Sequence, residues 1–116
     1  MRWDGIINLL IMDPSEFKEY IQGASVALLD VRSPQEYASG HISGALNMNM
    51  YSSSFMEEVK KLDRVRKYAL YCQSGGRSSM ALKFMQSLGF VDVVHMDGGI
   101  SAWESSNFPI ITEGEI

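Results

Sequence analysis

The chain has 116 residues, which is long enough for one domain with a buried core but too short for a second. Its composition is that of an ordinary globular protein, and a net charge of −4 without any basic block argues against a nucleic-acid partner. The single cysteine excludes an internal disulfide or a multi-cysteine zinc site and fits a reducing compartment, so we expect a cytoplasmic protein. No apolar run approaches the roughly 20 residues of a membrane span and there is no signal-peptide pattern, so no membrane partner is expected.

A strand followed by a capped helix is predicted at the start of the chain. Residues 6–12 are mostly apolar, and their second half predicts the first strand. Asp13 is placed to cap the next helix, Pro14 suits its first turn, and Glu16 completes a capping box. The helix is expected to end at Gly23.

Short apolar runs and helical patterns then alternate. Residues 26–31 and 68–72 are continuous apolar runs, as in strands buried on both faces of a parallel sheet, and residues 91–96 predict a further strand. Helices are predicted between the first two runs and after the second, and a short one follows at residues 100–104. Their expected apolar stripes are Phe55, Met56, Val59 and Leu62, and then Met80, Ala81, Phe84, Met85 and Leu88. This alternation predicts an α/β fold with a mainly parallel, open sheet and helices on both faces.

The segment YCQSGGRSS, residues 71–79, places Cys72 at the end of an apolar run and before a glycine-rich turn. Such a turn points successive N–H groups inward, and the helix start behind it adds partial positive charge. We expect this field, with the charge of Arg77, to lower the pKa of Cys72 and to make it an exposed nucleophile. Cysteine is often merely buried, but this position favours a functional role.

Polar residues or glycines follow three of the predicted strands. Asp30 and Arg32 end one strand, Cys72 ends another, and Gly98 and Gly99 follow a third. Ligands of open α/β sheets bind beyond the carboxyl ends of the strands, so we expect these residues to converge on one edge. The glycine pair is expected to bring the chain close to that site.

Three segments, residues 28–49, 71–79 and 93–110, resemble in order the single-domain rhodanese-like sulfurtransferases. The resemblance implies a single rhodanese-like domain over residues 1–116, with its core at about 11–109. It also implies a thiosulfate sulfurtransferase-like enzyme. Cys72 takes a sulfane sulfur from a small anion such as thiosulfate, holds it as a persulfide, and passes it to cyanide, a thiol or a protein acceptor. No metal or organic cofactor is implied.

The loop after the cysteine is expected to bind the sulfur anions through its N–H groups. Those substrate-binding residues are Gln73, Ser74, Gly75, Gly76, Arg77 and Ser78. Ser78 is expected to cap the helix in preference to binding sulfur. Arg77 either binds the oxyanion end of the donor or fixes the loop through a carboxylate, and both roles stay open.

The resemblance also implies that three further residues, Asp30, Arg32 and Glu36, support this loop. Asp30 is expected to support it by hydrogen bonding, and Arg32 to pair with a carboxylate such as Glu36. His41 lies in a stretch that resembles a family turn in which the histidine organises the backbone, and His95 is expected to be a packed or surface residue.

Two other functions compete with sulfur transfer. Cysteine phosphatases and arsenate reductases use a C-x5-R loop, whereas four residues separate Cys72 from Arg77, and the smaller ring suits a persulfide better. Rhodanese-like domains also act as docking modules, usually after loss of the cysteine, or carry a persulfide to a partner protein. Many thiosulfate-using relatives have a basic residue after the cysteine, and Gln73 in its place argues against thiosulfate as the physiological donor.

Overall fold

The structure is a computed structural model that describes residues 10–112, so the part of the first apolar run before residue 10 lies outside the described residues. Within that range, strands and helices alternate. They are β1 (Ile11–Met12), α1 (Pro14–Ile21), β2 (Val26–Asp30), α2 (Pro34–Ser39), β3 (Leu46–Asn47), α3 (Phe55–Lys60), β4 (Lys67–Tyr71), α4 (Gly76–Ser87), β5 (Val93–Met96) and α5 (Gly99–Ser105). None of the helices in residues 10–112 is long and apolar enough to cross a membrane.

The five strands form one parallel sheet in the order β1-β5-β4-β2-β3. Asp30 lies beside Tyr71 in the pairing of β2 with β4, and Leu70 lies beside His95 in the pairing of β4 with β5. Because the strands run in one direction, β2, β4 and β5 end at the same edge of the sheet. The predicted α/β fold is confirmed, and that edge is where the polar residues converge.

Side chains on the two faces of β4 enter two separate cores. Tyr68, Leu70 and, just beyond the strand, Cys72 pack with α3 and α4 on one face. Ala69 and Tyr71 pack with α1 and α5 on the other face. This alternation is the period of two of an extended chain, and it confirms helices on both faces of the sheet.

The starts of α1 and α2 are set by the same local chemistry. Asp13 and Glu16 form the predicted capping box, in which each side chain accepts a hydrogen bond from the other residue's backbone N–H. Ser33 and Glu36 form a second box at α2, which sequence analysis did not identify although Ser-Pro-x-Glu carries its signature. This second box fixes the position of Glu36, which matters at the site below.

The buried stripes of α3 and α4 differ from their prediction at Met56 and Met80, which are 53% and 63% exposed. Ser78 faces the end of β4, and residues three, four and seven positions later share its face of the helix. The buried residues of α4 are accordingly Ser78, Ala81, Leu82 and Met85. The loop before α4 therefore determines which face the helix buries.

Candidate active site

The sulfur of Cys72 lies inside a turn of backbone amides. The N–H groups of Gly75 and Ser78 donate hydrogen bonds to Sγ at 3.1 and 3.3 Å. Gly75 has φ +108°, in the left-handed region that glycine favours, whereas Gly76 begins α4. The amides therefore point at the sulfur as the sequence predicted, and the positive φ falls on Gly75.

Cys72 is 1% exposed, so the expectation of an exposed thiol is wrong. The reason is the alternation along β4, which directs the side chain into the core beneath α4. Residues Ser74 and Gly76 of the loop above it are exposed. The thiol consequently forms the floor of the loop, with its amides between it and the surface.

Burial and hydrogen bonding act in opposite directions on this thiol. Burial alone would raise the pKa of Cys72, but the hydrogen bonds that its thiolate accepts from the side chain and backbone of Ser78, and from the backbone of Gly75 and Ser74, outweigh it. The pKa of Cys72 therefore lies below its ordinary value. A buried cysteine without such donors would be a weaker acid than a free one. The amides therefore distinguish Cys72 from a cysteine that only packs in the core.

Arg77 holds the loop through Glu36 of α2. Its Nη1 and Nη2 donate to Oε1 and Oε2 of Glu36 at 2.7 and 2.8 Å, which is a bidentate pair. Of the two roles that the sequence left open, the structure shows the contact with a carboxylate. Hydrogen bonds from Arg77 hold the pKa of Glu36 at about 2, against the opposing effect of burial and with further hydrogen bonds from Ser33.

The Arg77–Glu36 pair predicts a dependence of stability on acid pH. A carboxylate whose pKa is depressed on folding stabilises the fold fully above its unfolded-state pKa of about 4.3, and that stabilisation is lost as pH falls. Because both side chains are partly exposed, we expect Glu36→Gln to reduce the free energy of unfolding at pH 7 by only about 1 kcal/mol. Chemical denaturation at pH 7, 4 and 2 should show the difference from wild type shrinking between pH 4 and pH 2.

Glu57→Gln is the matched control for this measurement. Glu57 pairs with Lys60 at 3.4 Å on a largely exposed helix surface, so its loss should leave stability nearly unchanged at every pH. Equal effects of the two substitutions at pH 7 would show that the Arg77–Glu36 pair does not hold the loop.

Arg32 pairs with a carboxylate as expected, but that carboxylate belongs to Asp30, and Glu36 as its expected partner is wrong. The guanidinium donates from Nε and Nη2 to the Asp30 carboxylate, at 3.0 and 2.7 Å, and both side chains are buried. Residues two apart at a strand end project to the same side, whereas Arg77 already occupies Glu36. Arg32 also donates from Nη1 to Oε1 of Gln73 at 3.1 Å, so Asp30 supports the loop through Arg32.

The first turn of α5 reaches the loop through backbone hydrogen bonds. The N–H groups of Ile100 and Ser101 donate to the carbonyls of Cys72 and Gln73 at 2.9 and 3.1 Å. Gly99 has φ +60°, and a Cβ added there would lie 2.5 Å from the Cys72 carbonyl oxygen. The predicted close approach of the glycine pair is confirmed, and only a residue without a side chain fits at Gly99.

Ser78 contacts the sulfur and does not cap the helix. Gly75 occupies the N-cap of α4, which places Ser78 inside the first turn. The Cys72 thiol donates a hydrogen bond to Ser78 Oγ, with Sγ and Oγ 3.5 Å apart. The Ser78 hydroxyl oxygen also lies 3.0 Å from Nδ1 of His95. Sequence analysis missed this contact of His95, although the period of two along β5 places it on the same face as Val93, toward α4.

His41 and Trp103 have structural positions. Nδ1 of His41 is 2.8 Å from the Tyr37 carbonyl, and its backbone N–H donates to Ile111 at 2.9 Å, so its predicted role in organising the backbone is confirmed. Trp103 is buried and donates from Nε1 to the Pro109 carbonyl at 2.8 Å. Neither side chain contacts the Cys72 loop through these bonds.

Comparison with known proteins agrees with this geometry. The family model described as the rhodanese-like domain matches residues 13–106. The chain is 38% identical over 97 residues to the probable adenylyltransferase/sulfurtransferase MoeZ of Mycobacterium tuberculosis, over 83% of this chain but 25% of MoeZ. It is 30% identical to the thiosulfate sulfurtransferase GlpE of Shewanella oneidensis, over 80% of this chain and 90% of GlpE.

A solved structure shows the same fold. The crystal structure of a rhodanese-related protein from Thermoplasma volcanium is 33% identical in sequence and matches with a TM-score of 0.77. The match covers 88% of this chain and 97% of that protein. The parallel sheet with helices on both faces is therefore the fold of that relative as well.

Proposed function

We propose that this chain, which belongs to the rhodanese-like family of sulfurtransferases, transfers a sulfane sulfur from a small sulfur-containing anion to a thiophilic acceptor through a persulfide on Cys72. One observation carries the proposal: Sγ of Cys72 accepts hydrogen bonds from the amides of Gly75 and Ser78 at the end of β4. Such donors stabilise an anion on sulfur without a general base.

The reaction consists of two displacements on sulfur. With thiosulfate, the Cys72 thiolate attacks the sulfane sulfur, the S–S bond of the donor breaks, and sulfite leaves with the electron pair. The product Cys–S–S⁻ extends about 2 Å beyond Sγ, toward the amides of the loop. A cyanide or thiolate acceptor then attacks the outer sulfur, and Cys72 leaves as a thiolate. Every species on Cys72 is an anion, so one ring of N–H donors serves both steps.

The arginines of the site bear on the choice of donor. Arg77 is engaged by Glu36, Arg32 is engaged by Asp30, and the residue after the cysteine is the neutral Gln73. The N–H groups of the loop therefore supply the positive potential at the sulfur. This favours a donor whose reacting group carries one negative charge, such as a persulfide anion, over thiosulfate, whose sulfonate adds a second charge that needs its own cation. It also argues against phosphate chemistry, which would need Arg77 free for the oxyanion.

A persulfide carrier for a partner protein is the second candidate. One comparison favours it. This chain matches only 25% of MoeZ, the relative named probable adenylyltransferase/sulfurtransferase, so in MoeZ the matching segment is part of a longer protein. In that case the acceptor is a thiol or other nucleophile presented by a protein, and the first displacement on Cys72 is unchanged.

Intact mass spectrometry tests the proposal. Wild-type protein incubated with thiosulfate or a glutathione persulfide donor should gain one sulfur, about 32 Da, that cyanide or a reductant removes. Cys72→Ser should gain none and should transfer sulfur to cyanide at least about 10³-fold more slowly. Equal melting temperatures would show that the serine variant is folded.

Each other outcome identifies a competing function. Wild type that stays unmodified with every sulfane donor would overturn the proposal in favour of a docking module. Hydrolysis of an aryl phosphate faster than sulfur transfer would overturn it in favour of a phosphatase. A stable persulfide that small acceptors discharge slowly would support the carrier form of the proposal.

A further inference from the structure

A chain of three buried polar groups leads from the sulfur to the next strand. Cys72, Ser78 and His95 are 1%, 0% and 5% exposed. The Ser78 hydroxyl lies 3.5 Å from Sγ of Cys72, 3.0 Å from Nδ1 of His95 and 3.3 Å from the carbonyl oxygen of Gly75. Cys72 and Ser78 are enclosed by protein, so the hydrogen bonds among these three groups depend on one another.

The Ser78 hydroxyl has one hydrogen to give among these neighbours. When Nδ1 of neutral His95 lacks a proton, that hydrogen goes to His95, and the Cys72 S–H donates to Ser78 Oγ. When Nδ1 carries the proton, it donates to Ser78 Oγ and leaves the Ser78 hydrogen for the sulfur. The first arrangement matches a thiol and the second matches a thiolate or a persulfide anion.

We propose that His95 is a positioning residue, which through Ser78 directs a hydroxyl hydrogen bond onto the sulfur anion of Cys72. This role rests on the proposed function, because the Cys72 thiolate is the species that attacks the donor and that departs when the acceptor takes the sulfur. His95 does not touch the transferred sulfur, and it acts only through Ser78. Without His95, the Ser78 hydrogen divides between the sulfur and the carbonyl of Gly75.

The surroundings of His95 favour its neutral form. Burial lowers the pKa of His95, and the nearby charge of Asp97 opposes this only partly. The side chain also lines a cavity of about 350 Å³ with Lys83 and Gln86 of α4 and with Leu10 and Ile11. Among residues 10–112, the charged or titratable groups around it include Cys72, reached through Ser78, Asp97, which directly follows β5, and Lys83 across the cavity.

The pH profile of iodoacetamide alkylation tests this role, because alkylation reports the thiolate and needs no sulfur donor. We expect His95→Leu to move the inflection to higher pH and to slow alkylation below it about three- to tenfold. His95→Asn presents an amide N–H near the position of Nδ1 and should stay within about twofold of wild type. His41→Asn, at another buried histidine, is the matched control and should leave the inflection unchanged.

A double-mutant comparison separates the hydrogen-bond chain from packing. If His95 acts through Ser78, then Ser78→Ala should also raise the inflection, and adding His95→Leu to it should change nothing further. Additive shifts, or no rescue by asparagine, would overturn the inference. Failure of persulfide formation with an intact alkylation effect would instead count against the proposed function.

A measurement on the wild-type protein covers the case in which a variant does not fold. Nitrogen-15 NMR of the His95 ring should show the proton moving from Nε2 to Nδ1 as Cys72 is deprotonated. The same tautomer on both sides of the Cys72 titration would overturn the inference.

Discussion

Replacing Gly99 with alanine is expected to destabilise the fold by at least about 3 kcal/mol and to remove most of the thiolate reactivity of Cys72. The new Cβ would lie 2.5 Å from backbone atoms of Cys72 and Gln73, which are not free to rotate aside. Relief requires the first turn of α5 to move away and to break the hydrogen bonds from Ile100 and Ser101 to the loop. Urea denaturation and the alkylation profile measure the two effects.

Gly89→Ala is the control for backbone strain without collision. Gly89 has φ +92°, but a Cβ there meets nothing within 4 Å, so this variant should lose only about 1 kcal/mol and keep the reactivity of Cys72. If Gly99→Ala reduced the free energy of unfolding no more than Gly89→Ala does, the close approach at Gly99 would not be a constraint on the site.

Replacing Arg32 with methionine is expected to reduce the free energy of unfolding by about 3–5 kcal/mol, because it leaves the Asp30 carboxylate buried without its cation. Asp30 is 0% exposed and accepts from Arg32 through both side-chain and backbone groups. The substitution also removes the bond to Gln73, so transfer activity should fall together with stability. Denaturant titration with a sulfur-transfer assay on the folded fraction measures both.

Two variants make this result interpretable. Arg66→Met removes an exposed arginine and should change stability by less than about 0.5 kcal/mol. Adding Asp30→Asn to Arg32→Met removes the unpaired charge and should recover a large part of the loss. No recovery in the double variant would show that the cost comes from lost packing of the long side chain, and not from the charge.

Local and periodic signals predicted the framework of this protein. Continuous apolar runs at residues 26–31 and 68–72 are typical of buried parallel strands, and they lie on β2 and β4. The capping box at Asp13 and the glycine-rich turn after Cys72 are also encoded within a few residues, so the sequence predicted them. The resemblance to the rhodanese-like family added the order of the motifs.

Contacts between distant segments were not predictable in the same way. The ion pairs are Arg32 with Asp30 and Arg77 with Glu36, and not Arg32 with Glu36. They depend on where α2 packs, and 41 positions separate Arg77 from Glu36. The burial of Cys72 depends on how α4 covers the sheet, because a strand end alone does not set exposure. His95 was missed since its polar partner Ser78 lies on another element, and only the packing of α4 against β5 brings the two together.

The hydrogen bonds between the Cys72 loop and the first turn of α5 connect two β–α junctions that lie 25 or more positions apart. The amides around the sulfur are held in place by contacts between distant segments, so an emerging or unfolded polypeptide carries a thiol of ordinary acidity. Thiolates oxidise far faster than thiols, and the nucleophile is thus spared while the ribosome is still adding residues. Reactivity at this sulfur is in effect a property that only the folded chain has.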